Sequence, residues 1–214
     1  MTPSIIFPIL KNVPYVYTDV SNATDGTNAA SYTFSNLPLG TGPHQSTSRT
    51  VVVFFSSAAT GACSVSKMTV NGIETIGRNS IQQQGTNGCC GLAVTQVSGD
   101  AVTIVANVSG STVARFLYGI GVIDGIRDFY FKRTFIASST GADATRSFTA
   151  DIKTGETFLG CGWGGGSALA WSGGPTEIFN NTVETQRLST CKIDPSVANE
   201  GITVQSTNCR AMVG

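Results

Sequence analysis

The run 92–124, LAVTQVSGDAVTIVANVSGSTVARFLYGIGVID, constrains this chain more than any other stretch. It divides into three apolar pieces, 92–97, 101–108 and 112–123, separated by Ser98-Gly99-Asp100 and Ser109-Gly110-Ser111. In the middle piece Val102, Ile104, Ala106 and Val108 alternate with Thr103, Val105 and Asn107. That period of two sets one face of a strand against a core. Nowhere in the window do apolar residues recur at i, i+3 and i+4 for three turns, which excludes a helix. Short turns of Ser, Gly and Asp between β-branched runs predict an antiparallel meander.

The same chemistry recurs along the chain. Residues 48–56, SRTVVVFFS, are a continuous β-branched and aromatic run and predict a central strand. Within 64–76, Asn71-Gly72 lies between two alternating arms, and both residues tolerate the positive φ of a type I′ hairpin turn. Residues 30–35 predict a strand after a polar passage at 18–30, and 78–88 read as a Gln-, Asn- and Gly-rich loop. Further on, 127–137 and 146–152 predict a strand pair across 138–144. Segments 156–162 and 168–172 enclose Gly162-Trp163-Gly164-Gly165-Gly166, and 176–180, 185–193 and 201–212 complete the set.

The expected fold is all-β: an antiparallel two-sheet β-sandwich, jelly-roll-like, with about a dozen strands and no major helix. Its parts are an extended N-terminal arm, 1–24, and a sandwich, 25–214. A faint internal echo links TVVVFF, the Asn-Gly hairpin and two final strands to ETFLGCGW, Gly173-Gly174 and two final strands. It suggests two weakly similar halves divided near 124–127.

Charged residues are 12% of the chain, about half the usual share, and the 13 basic and 13 acidic residues cancel. No basic block offers a footprint for nucleic acid, and no segment reaches the ~18 apolar residues of a membrane span. Pro3, Pro8 and Pro14 forbid a helix at the apolar start, and Lys11 follows the apolar stretch instead of preceding it, unlike a secretory leader. Ile5, Ile6, Phe7, Ile9, Leu10 and Tyr15 are therefore candidates for contact with this subunit or a neighbour.

Catalytic chemistry has few carriers. His44 is the one histidine, in a Gly- and Pro-flanked loop without a nucleophile elbow, and the carboxylates mostly sit at turns, where they bond the backbone. Neither Asp124–Asp128 nor the acidic turn at 19–28 matches a calcium loop, and Gly162–Gly166 lacks the Lys-Ser/Thr of a phosphate-binding loop. No cofactor, metal site or catalytic set is expected. Cys63, Cys89, Cys90, Cys161, Cys191 and Cys209 form no CxxC, which leaves buried thiols or disulfides, within or between subunits. Cys191 and Cys209 both stand late in strand-like runs and could face each other across a ladder, whereas adjacent Cys89 and Cys90 put at most one of themselves in a core. Trp163 and Trp171, in a Gly/Ser-rich region, are candidates for stacking on a sugar ring, against core packing as the plainer alternative.

Across 32–125 the succession YTFSNLPLGT, RTVVVFF, VSKMTVNGIETI, AVTIVANVSG and ARFLYGIGVIDG resembles a group of β-sandwich proteins encoded among the virion genes of tailed bacteriophages. The resemblance implies a non-enzymatic structural component of a phage head or tail, assembled in the host cytoplasm. A capsid decoration or cementing protein, most plausibly a homotrimer, is the leading expectation, with the major capsid protein or tail components as partners. A glycan- or receptor-binding module of a tail fibre or spike is the alternative. The six cysteines and the apolar arm depart from the group's usual pattern.

Overall fold

In the computed structural model the described residues are 16–41, 49–59, 61, 63–82, 87–110, 113–124, 136–138, 144–152, 156–165, 167–184, 186–193 and 199–213. Among them every regular element is a strand. The first nine are β1 (Val16–Asp25), β2 (Ser31–Pro38), β3 (Arg49–Ala59), β4 (Cys63–Val70), β5 (Ile73–Glu74), β6 (Ile76–Gln82), β7 (Asn87–Val97), β8 (Ala101–Gly110) and β9 (Val113–Asp124). They make a five-stranded sheet, β1-β9-β3-β7-β6, and a four-stranded sheet, β2-β8-β4-β5. The other eight are β10 (Ile136–Ser138), β11 (Ala144–Ile152), β12 (Phe158–Gly165), β13 (Ala170–Ser172), β14 (Thr176–Val183), β15 (Gln186–Ile193), β16 (Asn199–Cys209) and β17 (Ala211–Val213). They make a second five-stranded sheet, β10-β17-β12-β15-β14, and a three-stranded sheet, β11-β16-β13. All pairings are antiparallel.

Laying β10–β13 on β1–β4 and β14–β17 on β6–β9 makes the two five-stranded sheets identical in order. The three-stranded sheet then equals the four-stranded one without β5.

Three cores, not one, hold these sheets. Val51, Val53 and Phe55 of β3 and Phe116, Tyr118 and Ile120 of β9 face Tyr32, Met68, Ile104 and Ala106 of the four-stranded sheet. The intervening Val52, Phe54 and Leu117 point the other way, to Cys161, Trp163 and Leu188 of the second five-stranded sheet. The opposite face of that sheet, with Phe158, Cys191 and Ile193, packs on Ala150, Ile152 and Val204 of the three-stranded sheet. The stack is four sheets deep, two sandwiches joined through their five-stranded members. Burial on both faces is why β3 reads as unbroken apolar sequence, since neither parity meets water.

The expected two-sheet sandwich is thus corrected to two pairs of sheets. The meander is corrected too: β7 and β9 lie in one sheet and β8 in the other, so strands consecutive in the chain do not pair with each other here. Turn residues mark a reversal without saying whether it stays in the sheet or passes over its rim. Among the described residues β11 pairs with β16 and β10 with β17; most of the first member of the expected 127–137/146–152 pair, residues 127–135, lies outside the described set. Residues 16–24 of the expected arm belong to β1, whose bulge between Asp19 and Ser21 breaks the period of two. The 78–88 stretch holds β6 and the start of β7, and Gly162–Gly165 lies within β12. Asn71 and Gly72 have φ of 51° and 78° and connect β4 to β5 as a type I′ turn does.

Candidate functional site

The joint between the sandwiches gathers most of the residues the sequence singled out. Trp163 is fully buried there, its indole N–H donating to Gln186 Oε1 at 2.6 Å and its ring lying against Gly88, where a Cβ would collide with it. Beside it the Phe179 ring covers Gly119, 2.6 Å from where a Cβ would stand. At the rim Arg115 forms an ion pair with Glu184. Trp163 therefore presents no ring face to a sugar, which corrects its candidacy for stacking. The sequence signal for this role is the alternation of Trp163 with Gly162 and Gly164. Those glycines face the other way, where a Cβ on Gly162 would stand 2.9 Å from Leu169 and one on Gly164 would strike the Asn208 carbonyl.

All six cysteines are buried thiols in this structure. Cys191, on β15, is registered with Gly160 and Glu177, whereas Cys209, on β16 in a different sheet, is registered with Ala144. They do not face each other across a ladder. Cys89 and Cys90 are both core residues, one in each of two cores, because β7 is covered on both faces. Burial pushes the Cys90, Cys191 and Cys209 thiols up. Cys89 is pushed up first by its hydrogen bond with Cys63 and then by burial, while that same bond and one with Ser57 hold Cys63 down.

A second polar cluster lies in the second sandwich. The Gly173-Gly174 turn leads from β13 straight to β14 in the five-stranded sheet, so no strand takes the place that β5 holds in the first sandwich. On this side of β14 and β15, Glu177 Oε2 accepts from Ser189 Oγ at 2.8 Å and from Asn180 Nδ2 at 2.9 Å. Ser189 accepts from the indole N–H of Trp171 at 2.8 Å, and Arg187 Nη1 donates to Asn180 Oδ1 at 2.9 Å. Trp171 is half-buried, packed against the third core and reaching the cluster with its edge. Carboxylate, amide, guanidinium and indole on one shelf are groups that recognise hydroxyl-rich ligands.

No model of a known protein family, no curated protein and no solved structure matches the chain.

Among the described residues no three His, Cys, Asp or Glu side chains converge as a metal site would require. Asp124, one of the acidic-turn residues, is buried in a bidentate pair with Arg49, at 2.9 Å to Nε and 3.2 Å to Nη2. Arg49 Nη1 also donates to the Gly40 carbonyl at 2.9 Å. Its sequence setting gave no sign of this partner, which lies 75 residues away. His44 and the candidates Ile5, Ile6, Phe7, Ile9, Leu10 and Tyr15 lie outside the described residues. Among the described residues the exposed large apolar side chains are Ile73 in β5 and Ile76 at the start of β6.

Proposed function

We propose that this chain is a non-enzymatic structural protein of a bacteriophage particle, most simply a capsid decoration or cementing protein. The observation that carries this reading is the strand order. In the first sandwich the strands run first-last-third-seventh-sixth in one sheet and second-eighth-fourth-fifth in the other, and the second sandwich repeats this without the fifth. Apart from the sixth strand, an addition at the edge, this order supports reading each half as a jelly roll, an architecture used by capsid and lectin domains and one that leaves few open edges. Fold alone does not carry function, so the support is the tandem arrangement together with a nearly uncharged composition. Cementing needs only covered area and rigid modules, and two jelly rolls fused along their broad sheets supply both. Partners on this reading are the major capsid protein or tail components, with a homotrimer as the working assembly.

The experiment is to image purified particles and count this chain on them. A fixed copy number at symmetry-related positions is expected; particles that assemble and endure heat equally well without the chain would defeat the reading. Deleting residues 1–15, which spares β1, is expected to leave the protein folded and weaken its attachment at least tenfold. Equal attachment would remove the arm from the contact.

The Trp171 shelf favours a second reading, recognition of a host glycan by a tail-associated module. Trp171→Ala and Glu177→Gln should then each abolish binding on a glycan array while the melting curve stays cooperative. No binding by the unaltered protein would eliminate it.

A further inference from the structure

Four of the six cysteines meet in two pairs, each between different sheets. Cys63 opens β4, directly after the chain has crossed from the five-stranded to the four-stranded sheet, and Cys89 lies on β7 in register with Ser57. The Ser57 hydroxyl is 3.0 Å from Cys89 Sγ and 3.9 Å from Cys63 Sγ, and the two thiols hydrogen-bond each other. Across the joint, Cys161 Sγ donates to the Gly91 carbonyl at 3.1 Å and Cys90 Sγ to the Cys161 carbonyl at 3.9 Å. Each thiol is thus aimed at the backbone beside the other, which brings the two side chains together across the joint. The vicinal arrangement of Cys89 and Cys90, read along the sequence, looks like a redundancy. In space it sends one thiol into each core, so that a single strand can be tied on both of its faces.

We propose that Cys63 with Cys89 and Cys90 with Cys161 are two sites of disulfide formation, the first tying together the sheets of the first sandwich and the second tying the two sandwiches to each other. The oxidant is a low-molecular-weight disulfide. A protein thiolate attacks one of its sulfurs and expels a small thiolate. The second protein cysteine, its proton lost to water, attacks the resulting mixed disulfide and expels the other small thiolate. Two protein thiols are oxidised, one small disulfide is reduced to two small thiols, and those leaving groups take up the two protons. Cys63 is the entering nucleophile of its pair, since at the first position of β4 it keeps a sliver of exposure, 3%, where Cys89 has none. Cys90 and Cys161 are both sealed from solvent. Exchange at that pair therefore happens while β12 is undocked from β7, during folding and not after it.

Cys191 and Cys209 are the internal controls. Cys191 is held by the Gly160 backbone, and Cys209 by Ser206 and the Trp163 backbone. Cys191 has the Glu177 carboxylate as its charged neighbour, and Cys209 has Cys90, the thiol that faces Cys161 across the joint, so 209 competing for 90 is the alternative the mapping has to distinguish.

The test is to refold the full chain in a mixture of oxidised and reduced glutathione, block remaining thiols with N-ethylmaleimide and map the peptides by mass spectrometry without reduction. Cross-linked peptides joining 63 to 89 and 90 to 161 are expected, with 191 and 209 labelled. Tm should rise by about 10 °C and fall back on adding reductant. The folded reduced protein placed in the same mixture should acquire the 90–161 bridge at least tenfold more slowly. Cys161→Ala should lose that bridge and keep the other. Because refolding can fail for unrelated reasons, protein produced in an oxidising compartment is mapped in parallel and must show the same two bridges. Six labelled thiols in both preparations, or an 89–90 bridge in place of the two, would overturn the proposal.

Discussion

The two sandwiches follow one strand order and hold themselves together by different means. In the first, the buried Arg49–Asp124 pair ties the start of β3 to the end of β9, and the Asn71-Gly72 hairpin adds a fourth outer strand. In the second, the strand equivalent to β3 opens with Phe158, packed 5.9 Å from the Phe148 ring, and the Gly173-Gly174 turn omits the fourth outer strand. The omission leaves the Glu177 shelf beside Trp171, where the first sandwich has β5. A repeated winding thus demands only that each strand keep its two faces and its neighbours. Closure by ion pair or by aromatic contact, and an outer sheet of four strands or three, are free to diverge. Where the strand is omitted, the polar cluster of Glu177, Ser189 and Trp171 stands without an outer strand over it.

Alkaline titration should separate the halves most. Cys191 and Cys209 in the second sandwich, like Cys89 and Cys90 in the first, have folded pKa values raised above the unfolded one, whereas Cys63 is lowered. A raised group contributes its full stability below the unfolded thiol value near 9 and loses it as pH climbs towards the folded value. The loss is about 1.4 kcal/mol per thiol for each pH unit. Cys63 acts in the opposite sense and offsets part of the loss in the first sandwich alone. Urea melts of the reduced protein between pH 8 and 10.5 should therefore show stability dropping by several kcal/mol, the second sandwich loosening first. A flat profile would mean that the thiols are not sealed.

Arg49→Met tests the buried ion pair that closes the first sandwich. Stranding the Asp124 carboxylate should cost about 4 kcal/mol, and replacing Asp124 by Leu as well should recover much of it. If the single change costs no more than a surface substitution, the contrast with Phe158 is cosmetic. Trp163→Phe should cost about 2 kcal/mol, from the void and the unmatched Gln186 oxygen. Because Trp163 lies in the joint, the variant should split one unfolding transition into two; a single unshifted transition would show that the sandwiches are coupled elsewhere. Smallest is Thr50→Val. The Thr50 hydroxyl is buried with no hydrogen-bond partner, so the change should be neutral or stabilise by up to about 1 kcal/mol in a thermal melt. A clear loss would reveal a partner for that hydroxyl.

Strands were legible wherever a period of two or an apolar run was unbroken. Residues 48–56 became β3, 101–108 became β8, and the echo between TVVVFF and ETFLGCGW falls on β3 and β12, which hold the same place in their sheets. β1 escaped notice because its bulge shifts the alternation, and β6 because a polar edge strand is held mainly by backbone bonds. The shelf could be anticipated at Trp171 and nowhere else: Glu177, Asn180, Arg187 and Ser189 resemble ordinary strand residues until the missing strand above them is seen.

Residue order by itself determined that this chain is built of strands, that 71–72 turns as a type I′ hairpin, and that β3 is covered on both faces. These are local matters, decided by side-chain period and by which residues tolerate positive φ. Only the tertiary structure decided which sheet each strand joined, that there are two pairs of sheets and three cores, that Trp163 is sealed in the joint, and that Cys89 and Cys90 look towards different partners. A strand's hydrogen-bonding neighbours come from anywhere in the chain, and its own pattern records only the two faces it must hide, never what hides them.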